Sequence, residues 1–199
     1  MLDETTFSML QDIGRDLFLR GLMSSHAGNM SVRVGQTIHI TRRGSMLGRL
    51  RREDMIDVDL EKTDAHVLLA SSELVVHRAV YRHTSALALI HAHPPYATLL
   101  SMMQDEIIPI DSEGSYLFKK VPVIAVEKTI GSEEATSIVS KALQDYKVVM
   151  MRDHGSFARG DIPEEAYMFT SSLEASSFYV YHMQETNEYS KLSDKYKTW

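Results

Sequence analysis

The sequence predicts an α/β fold, an αβα sandwich in which helices cover both faces of a central, mainly antiparallel sheet. Amphipathic helical patterns alternate with short apolar strands along the chain. Residues 30–34 and 37–41 alternate around the short connection Gly35-Gln36, which is typical of a β-hairpin. No Pro/Gly/Ser-rich linker, repeat or low-complexity tract divides the sequence, so residues 1–199 are expected to form a single domain.

Each predicted element follows from its own pattern. Apolar residues at near-helical spacing predict a first helix that contains Phe7, Leu10, Ile13, Leu17 and Leu22, and later helices over 71–84, 95–103, 132–146 and 164–184. Short apolar or alternating runs predict strands at 54–60, 86–90, 121–126 and 148–151. Serines are expected to cap the helix over 71–84, and Asp161 and Pro163 are expected to open the last helix.

Composition excludes several classes of protein. The chain has no cysteine, so disulfide frameworks and thiolate metal sites are excluded. A helix needs about 18 to 20 consecutive apolar residues to span a bilayer, and no segment of the sequence has them. The first residues also lack the pattern of a signal peptide. The formal net charge of -6 is spread along the chain, which argues against nucleic acid as a partner. A soluble cytoplasmic protein with no membrane partner is therefore expected.

Three histidines form a candidate metal site. His91 and His93 end an apolar strand before two prolines, and side chains two residues apart on a strand project from the same face. Such a pair is a weak signal alone, because surface or hydrogen-bonded histidines are commoner than ligands. His154 follows another apolar run and stands directly before Gly155, the residue type best able to turn the chain sharply, so it can complete the set. Three neutral imidazoles leave a position open on a divalent ion, which is typical of catalytic zinc, although iron, cobalt, nickel and copper also suit imidazole.

Several motifs together resemble the class II aldolase/adducin family. They are "AGNMSVR", the hairpin with its threonine-to-glycine loop, "SSE" with His77 one turn later, "HAHPPYA" and "RDHG", in the order and spacing of that family and over nearly the whole chain. The resemblance implies the αβα fold and zinc held by His91, His93 and His154. It also implies cleavage of a phosphorylated ketose to dihydroxyacetone phosphate and an aldehyde, with the metal stabilising the enediolate as a Lewis acid.

The resemblance gives Glu73 a catalytic role. It matches a family glutamate that lies against the metal and exchanges between ligand and proton carrier. A carboxylate beside an open metal position is suited to act as a general base. The alternative is a glutamate in the first turn of a helix, which the helix dipole favours without any catalysis.

Phosphate binding is expected at segments that match the family's phosphate contacts. Ser71 and Ser72 precede a helix, where free backbone N–H groups favour an anion. Arg42 and Arg43 stand where relatives commonly carry Pro-Ser or Pro-Thr. Arg43 can bind phosphate bidentately or reshape the pocket for a carboxylate or a larger tail, or the stretch is a solvated loop. The full expected set is Gly28, Asn29, Thr41, Arg43, Gly44, Ser71 and Ser72.

The second acid/base group is expected in residues 109–118. Family aldolases have a tyrosine there, whereas this chain has Glu113, with Tyr116 three residues later. A glutamate in this neighbourhood is similar to the methylthioribulose-phosphate dehydratases of the same superfamily. The alternative is a polar surface turn. The resemblance also implies a homotetramer with the site near a subunit interface.

Three functions remain open from the sequence. The first is a zinc-dependent aldolase acting on a sugar phosphate. The second is a dehydratase, decarboxylase or epimerase that uses the same metal site. The third is a non-catalytic, adducin-like interaction domain, which has no reason to retain all three histidines.

Overall fold

The structure, a computed structural model, describes residues 2–186 of the chain. The helices and strands follow one another in this order: α1 (Glu4–Leu19), β1 (Asn29–Val34), β2 (Thr37–Thr41), β3 (Met55–Asp59), α2 (Leu74–His83), β4 (Ala88–Ala92), α3 (Pro95–Met103), β5 (Glu106–Ile107), α4 (Ser112–Leu117), β6 (Val121–Ile124), α5 (Glu133–Asp145), β7 (Val148–Met151), β8 (Gly155–Gly160) and α6 (Pro163–Glu185). In this part of the chain no helix is long and apolar enough to cross a membrane.

The strands form one sheet in the order β3-β2-β1-β4-β8-β7-β6-β5. All neighbouring strands are antiparallel except β6 and β7, which are parallel. The mainly antiparallel sheet predicted from the sequence is therefore confirmed. The pairing places β4 and β8, the strands next to the predicted metal ligands, in the middle of the sheet.

Helices cover both faces of the sheet, as predicted. Alternation along β7 shows the two layers, since Val149 and Met151 pack with α2 and α5, whereas Val148 and Met150 pack with α3 and α6. Helix α1 packs against β1 and β4 on the same face as α6. Burial of these apolar side chains, at about 1.5 to 3 kcal/mol for a large one, favours this layered arrangement.

Helix α2 begins later than the sequence suggests. Its first helical residue is Leu74, and Glu73 is the residue immediately before it, with no side-chain capping hydrogen bond. The Ser71 amide donates to the Thr41 carbonyl oxygen at 3.1 Å. Residues 70 and 42 also form a β-bridge, so this segment is held against the end of β2 and cannot start the helix. Contrary to the prediction, neither serine is the residue directly before the helix, although Oγ of Ser71 accepts a hydrogen bond from the Glu73 amide at 3.2 Å. The alternative that places Glu73 in the first turn of α2 is wrong.

Three elements were not predicted. Strand β8 contains two glycines and an arginine, which hide its strand pattern, yet it is buried between β4 and β7. Strand β5 is only 2 residues long. Helix α4 lies inside the stretch expected to be a polar loop, where Asp111 accepts a hydrogen bond from the Gly114 amide at 2.8 Å and caps the helix.

Candidate metal centre and active site

Strand β4 positions the first two histidines. His91 is in the strand and 2% exposed, and its Nδ1 donates to the Ser156 carbonyl oxygen at 2.9 Å. The Nε2 lone pair of His91 therefore points away from the sheet backbone. His93 follows the strand, held by a hydrogen bond from its amide to the Leu22 carbonyl oxygen at 2.8 Å. The two Nε2 atoms lie 3.0 Å apart, so both rings converge on one point.

The tight turn between β7 and β8 supplies the third histidine. Asp153 adopts a positive φ of 55°, which directs His154 back toward β4. Nδ1 of His154 lies 3.2 Å from the Met151 sulfur, a weak acceptor, and this contact favours Nε2 as its ligand atom. The centroid of the His154 ring lies 4.8 Å from that of the His91 ring and 5.0 Å from that of the His93 ring.

Gly155 matters for space, not for a turn. A Cβ atom at this position would lie 2.4 Å from the Ala92 carbonyl oxygen and 2.6 Å from Cδ2 of His93. Gly155 does not have a positive φ, whereas Asp153, two residues earlier in the turn, does. The sequence interpretation of Gly155 as the turning residue was therefore wrong, because β8 must approach both histidine rings closely.

The three rings are suited to a divalent cation. Desolvation and the neighbouring histidines lower the pKa of His91 well below 6.5. Burial lowers the pKa of His93 to about 4 and also lowers that of His154. All three imidazoles are therefore neutral at pH 7 and can donate lone pairs, as ligands must. Their ligand atoms lie within 4.8 Å of one another, and tetrahedral zinc with bonds of about 2.0 to 2.1 Å requires nitrogens about 3.3 Å apart.

Glu73 is buried without a full set of partners. Its side chain is 3% exposed, and Oε2 has no hydrogen-bond partner in the part of the chain that the structure describes. Desolvation raises the pKa of Glu73 to about 7, although the Gly131 backbone amide acts in the opposite direction. Glu73 does not belong to the group of ligand atoms formed by the three histidines. Its expected contact with the metal stays a prediction.

The segments expected to bind phosphate are joined to one another. The Met30 amide donates to Oγ1 of Thr41 at 3.1 Å, and the Thr41 carbonyl oxygen accepts from the Ser71 amide. The Arg43 amide donates to the Leu69 carbonyl oxygen at 2.9 Å. The structure therefore brings together residues 28–29, 41–44 and 71–72, although nothing bound identifies their ligand.

The same segments lie next to the histidines. Asn29 of β1 is directly opposite His91 of β4 in the antiparallel register. Gly28 has a φ of +76°, and a Cβ there would lie 2.8 Å from the His91 carbonyl oxygen. This close approach needs glycine both for its conformation and for space. It places a candidate anion site beside the candidate metal site.

The two arginines of the loop differ in their surroundings. Arg42 lies 3.4 Å from the Asp54 carboxylate, so its charge already has a partner. The Arg43 side chain is exposed, and no hydrogen bond or ion pair within residues 2–186 involves its guanidinium group. Of the two, Arg43 is thus the one available to an added anion.

Glu113 faces a different cavity. The Ser172 hydroxyl donates to Oε1 of Glu113 at 3.1 Å, and both line a cavity of about 450 Å³ between α4 and α6. His93 and His154 line another cavity, of about 590 Å³, which contains neither Glu113 nor Ser172. Tyr116 is 88% exposed and points to no described partner group. Within one chain, Glu113 and the histidines are therefore not brought into one site.

Sequence reasoning missed one group that supports the histidines. The Glu174 carboxylate of α6 accepts hydrogen bonds of 3.0 Å from the Tyr96 and Ala97 amides. It thereby caps α3 just after the Pro94-Pro95 break that follows His93. Burial raises the pKa of Glu174. In the sequence, the signal that could have indicated this role is a single glutamate among the residues on the buried side of the predicted last helix.

Comparison with known proteins defines the class. The model of the class II aldolase and adducin N-terminal domain matches residues 8–180, and the chain belongs to this family. The predicted resemblance and fold class are therefore confirmed. This family normally uses a divalent metal, and the three-histidine site is present here.

Individual relatives carry more specific names. The chain is 31% identical over 165 residues to an L-fuculose phosphate aldolase of Methanocaldococcus jannaschii, covering 81% of this chain and 88% of that protein. The crystal structure of L-fuculose-1-phosphate aldolase from Thermus thermophilus matches with a TM-score of 0.87 at 39% identity, covering 92% and 96% of the two chains. A 3-oxo-tetronate 4-phosphate decarboxylase of Haemophilus influenzae is 27% identical over 191 residues, covering 92% and 90%.

Proposed function

We propose that the protein is a zinc-dependent aldolase that cleaves a fuculose-1-phosphate-like ketose phosphate to dihydroxyacetone phosphate and an aldehyde. One observation carries the proposal: the three converging histidines lie directly beside joined segments suited to an anion, with Asn29 opposite His91. The likeness to the aldolases of Methanocaldococcus jannaschii and Thermus thermophilus supports the same reaction.

The chain's own residues have separate tasks. His91, His93 and His154 hold the ion, which when bound supplies Lewis-acid stabilisation of negative charge on the substrate oxygens. The segments 28–29, 41–44 and 71–72 hold the phosphate group, so that the carbonyl end of the ketose lies next to the histidines. Binding at two points orients the bond that breaks.

Two carboxylates are assigned the proton transfers. Glu113 takes the proton from the hydroxyl group whose oxygen becomes the aldehyde, and the neighbouring carbon–carbon bond then breaks. Glu73 delivers a proton to the carbon left on the dihydroxyacetone phosphate fragment. A pKa of about 7 suits Glu73 to this work, because a catalytic group is most effective when its pKa lies near the working pH.

Glu113 requires a second subunit in this scheme. It lines a cavity that the chain's own histidines do not share, so we propose that it acts in the site of a neighbour within a homotetramer. Tyr179, which lines the same cavity, is 49% exposed, and a subunit contact would cover it.

A decarboxylase is the second candidate. The Haemophilus influenzae relative is named for decarboxylation of a phosphorylated 3-oxo acid, and Arg43 supplies a charge that could hold a carboxylate. Dehydration or epimerisation on the same ion requires the same histidines. A non-catalytic interaction domain has no need for three neutral, converging imidazoles.

A product assay separates these reactions. Purified protein is incubated with a panel of ketose 1-phosphates and with a phosphorylated 3-oxo acid, and dihydroxyacetone phosphate and carbon dioxide are measured. We expect dihydroxyacetone phosphate from at least one ketose phosphate, and none with the His93→Ala variant. Release of carbon dioxide alone assigns the decarboxylase, and no product from any substrate contradicts the proposal.

A further inference from the structure

A buried hydrogen-bond network connects helix α2 to Asn29. This α2–β1 network consists of Asn29, Ser31, His77 and Tyr81, whose exposed fractions range from 0% to 5%. Nε2 of His77 lies 2.6 Å from Oδ1 of Asn29, and Nδ1 of His77 lies 2.6 Å from Oγ of Ser31. Oγ of Ser31 lies 2.7 Å from the Tyr81 hydroxyl. Apart from Asn29, none of these residues has a task in the proposed reaction.

The sequence builds this network by two periodicities. Met30 and Val32 of β1 pack with α1, so Asn29 and Ser31 face the opposite layer. His77 and Tyr81 are four residues apart and therefore lie on one face of α2. A helix crossing β1 thus places one hydrogen-bonding ring against each polar strand residue.

The direction of the hydrogen bonds is determined by the chemistry of the groups. Burial lowers the pKa of His77 to about 3, so the ring is neutral and carries one N–H group. Because Oδ1 of Asn29 can only accept, Nε2 of His77 must be the donor and Nδ1 the acceptor. The Ser31 hydroxyl then donates to Nδ1. The Tyr81 hydroxyl lies 2.7 Å from Oγ and 3.0 Å from the carbonyl oxygen of Ser31, so its single hydrogen is shared between these two acceptors.

We propose that His77 is a positioning residue that holds the Asn29 amide with its carbonyl oxygen toward α2 and its N–H donors toward the bound phosphate group. This inference rests on the proposed phosphate site. No hydrogen bond among the described residues uses Nδ2 of Asn29, so both of its hydrogens are available to a ligand. An amide turned the other way would present a carbonyl oxygen to an anion and leave donor facing donor in a buried place, which is costly.

Four variants of the metal-loaded protein test the inference, with inorganic phosphate as the probe in calorimetric titrations. We expect Asn29→Ala to weaken phosphate binding roughly tenfold, since it loses a hydrogen bond to a charged group. We expect a similar loss in His77→Phe, since the Asn29 amide is then no longer held with its N–H donors toward the phosphate. The double variant should bind no more weakly than Asn29→Ala alone. His77→Gln should recover most of the affinity, because an amide N–H can replace the Nε2 donor.

Tyr81→Phe is the matched control. It removes a buried hydrogen bond on the same face of α2, at the far end of the network, and should leave phosphate affinity within about twofold. An equal loss in Tyr81→Phe and His77→Phe would indicate general disturbance of α2 and overturn the inference. Wild-type phosphate affinity in His77→Phe would overturn it as well.

An NMR measurement decides the matter if His77→Phe does not fold. Nitrogen chemical shifts of His77 in the wild-type protein should show the hydrogen on Nε2, and a hydrogen on Nδ1 overturns the inference. Failure of the proposed reaction is distinguishable, because phosphate binding and the His77 tautomer are measured without turnover. If Asn29→Ala leaves phosphate binding unchanged, the phosphate assignment and the inference are both wrong.

Discussion

The histidine cluster and the Glu113 cavity are two differently built halves of the proposed active site. His91 lies in β4, His93 directly follows this strand, and His154 lies in the turn between β7 and β8. Backbone pairing of these neighbouring strands fixes all three histidines within one chain. Glu113 lies on the short helix α4, in a cavity that α6 lines and that lacks the histidines. One chain thus assembles the proposed metal and phosphate ligands, whereas the proposed second acid/base group depends on what covers α4.

The largest effect is expected when the histidine cluster loses one of its ligands. His93→Ala removes one of three converging ligands, and the protein should lose at least about nine-tenths of its bound metal together with its lyase activity, since the remaining pair holds zinc poorly. Elemental analysis of purified protein measures this, with about one zinc per chain expected in the wild type.

Substitution of an exposed histidine provides the control for metal binding. His26 is exposed and lies outside the cluster, so the His26→Ala variant should keep the wild-type zinc content. Undiminished zinc in His93→Ala would show that the cluster is not the metal site.

The second prediction concerns the dependence on a partner. Inactive Glu113→Gln chains, unfolded together with inactive His93→Ala chains and reassembled, should recover up to about a quarter of wild-type activity, because random pairing joins an intact cluster to an intact Glu113 at that frequency. Activity and elution volume are measured on the mixture. Elution as a monomer with no recovered activity would contradict a shared site.

These two halves also differ in how far the sequence predicts them. The pair His91 and His93 is readable because strand period and the following prolines are local signals. The third candidate ligand, His154, is readable from the apolar run that forms β7 just before it. By contrast, the close approach of Gly155 to both rings depends on β8, whose sequence has no clear strand pattern, and on pairing across 65 residues between His91 and Ser156.

The start of α2 shows the same limit. Ser71 and Ser72 are ordinary capping residues by local preference. Long-range pairing of residues 70 and 71 with β2 overrides this preference and leaves Glu73 as a buried residue before the helix. The sequence therefore indicates the candidate residues of the site but not the desolvation that raises the pKa of Glu73.

The third prediction tests whether burial raises the pKa of Glu73 in the metal-free protein. The pKa of Glu73 is raised from 4.5 to about 7, so the folded state holds the proton more tightly than the unfolded state. The folding free energy therefore becomes less favourable as pH rises from about 4.5 to about 7, and Glu73→Gln, which stays neutral, avoids this loss. At pH 8 with a chelator, the variant should be more stable by about 2 to 3 kcal/mol.

Urea unfolding at pH 5 and pH 8 checks the difference. Glu133→Gln, at an exposed position of α5, is the matched control and should leave the free energy of unfolding within about 0.5 kcal/mol at either pH. The same pH dependence in Glu73→Gln and wild type would mean that folding does not raise the pKa of Glu73. Lyase activity of Glu73→Gln should nevertheless be lost, since the proton carrier is removed.

The smallest effect is expected at the candidate phosphate site, where the two arginines of the loop can be compared. Arg43 is exposed and unpaired among the described residues, whereas the Arg42 guanidinium lies 3.4 Å from Asp54. If Arg43 binds phosphate, Arg43→Ala should weaken binding of a phosphorylated ketose by roughly 1 to 3 kcal/mol, the range for a charge-assisted pair. Arg42→Ala should have the smaller effect, because Asp54 already engages its charge. KM is measured for phosphorylated and unphosphorylated forms of one ketose. An equal change in both KM values would assign Arg43 to another part of the substrate, since a phosphate contact can act only where phosphate is present.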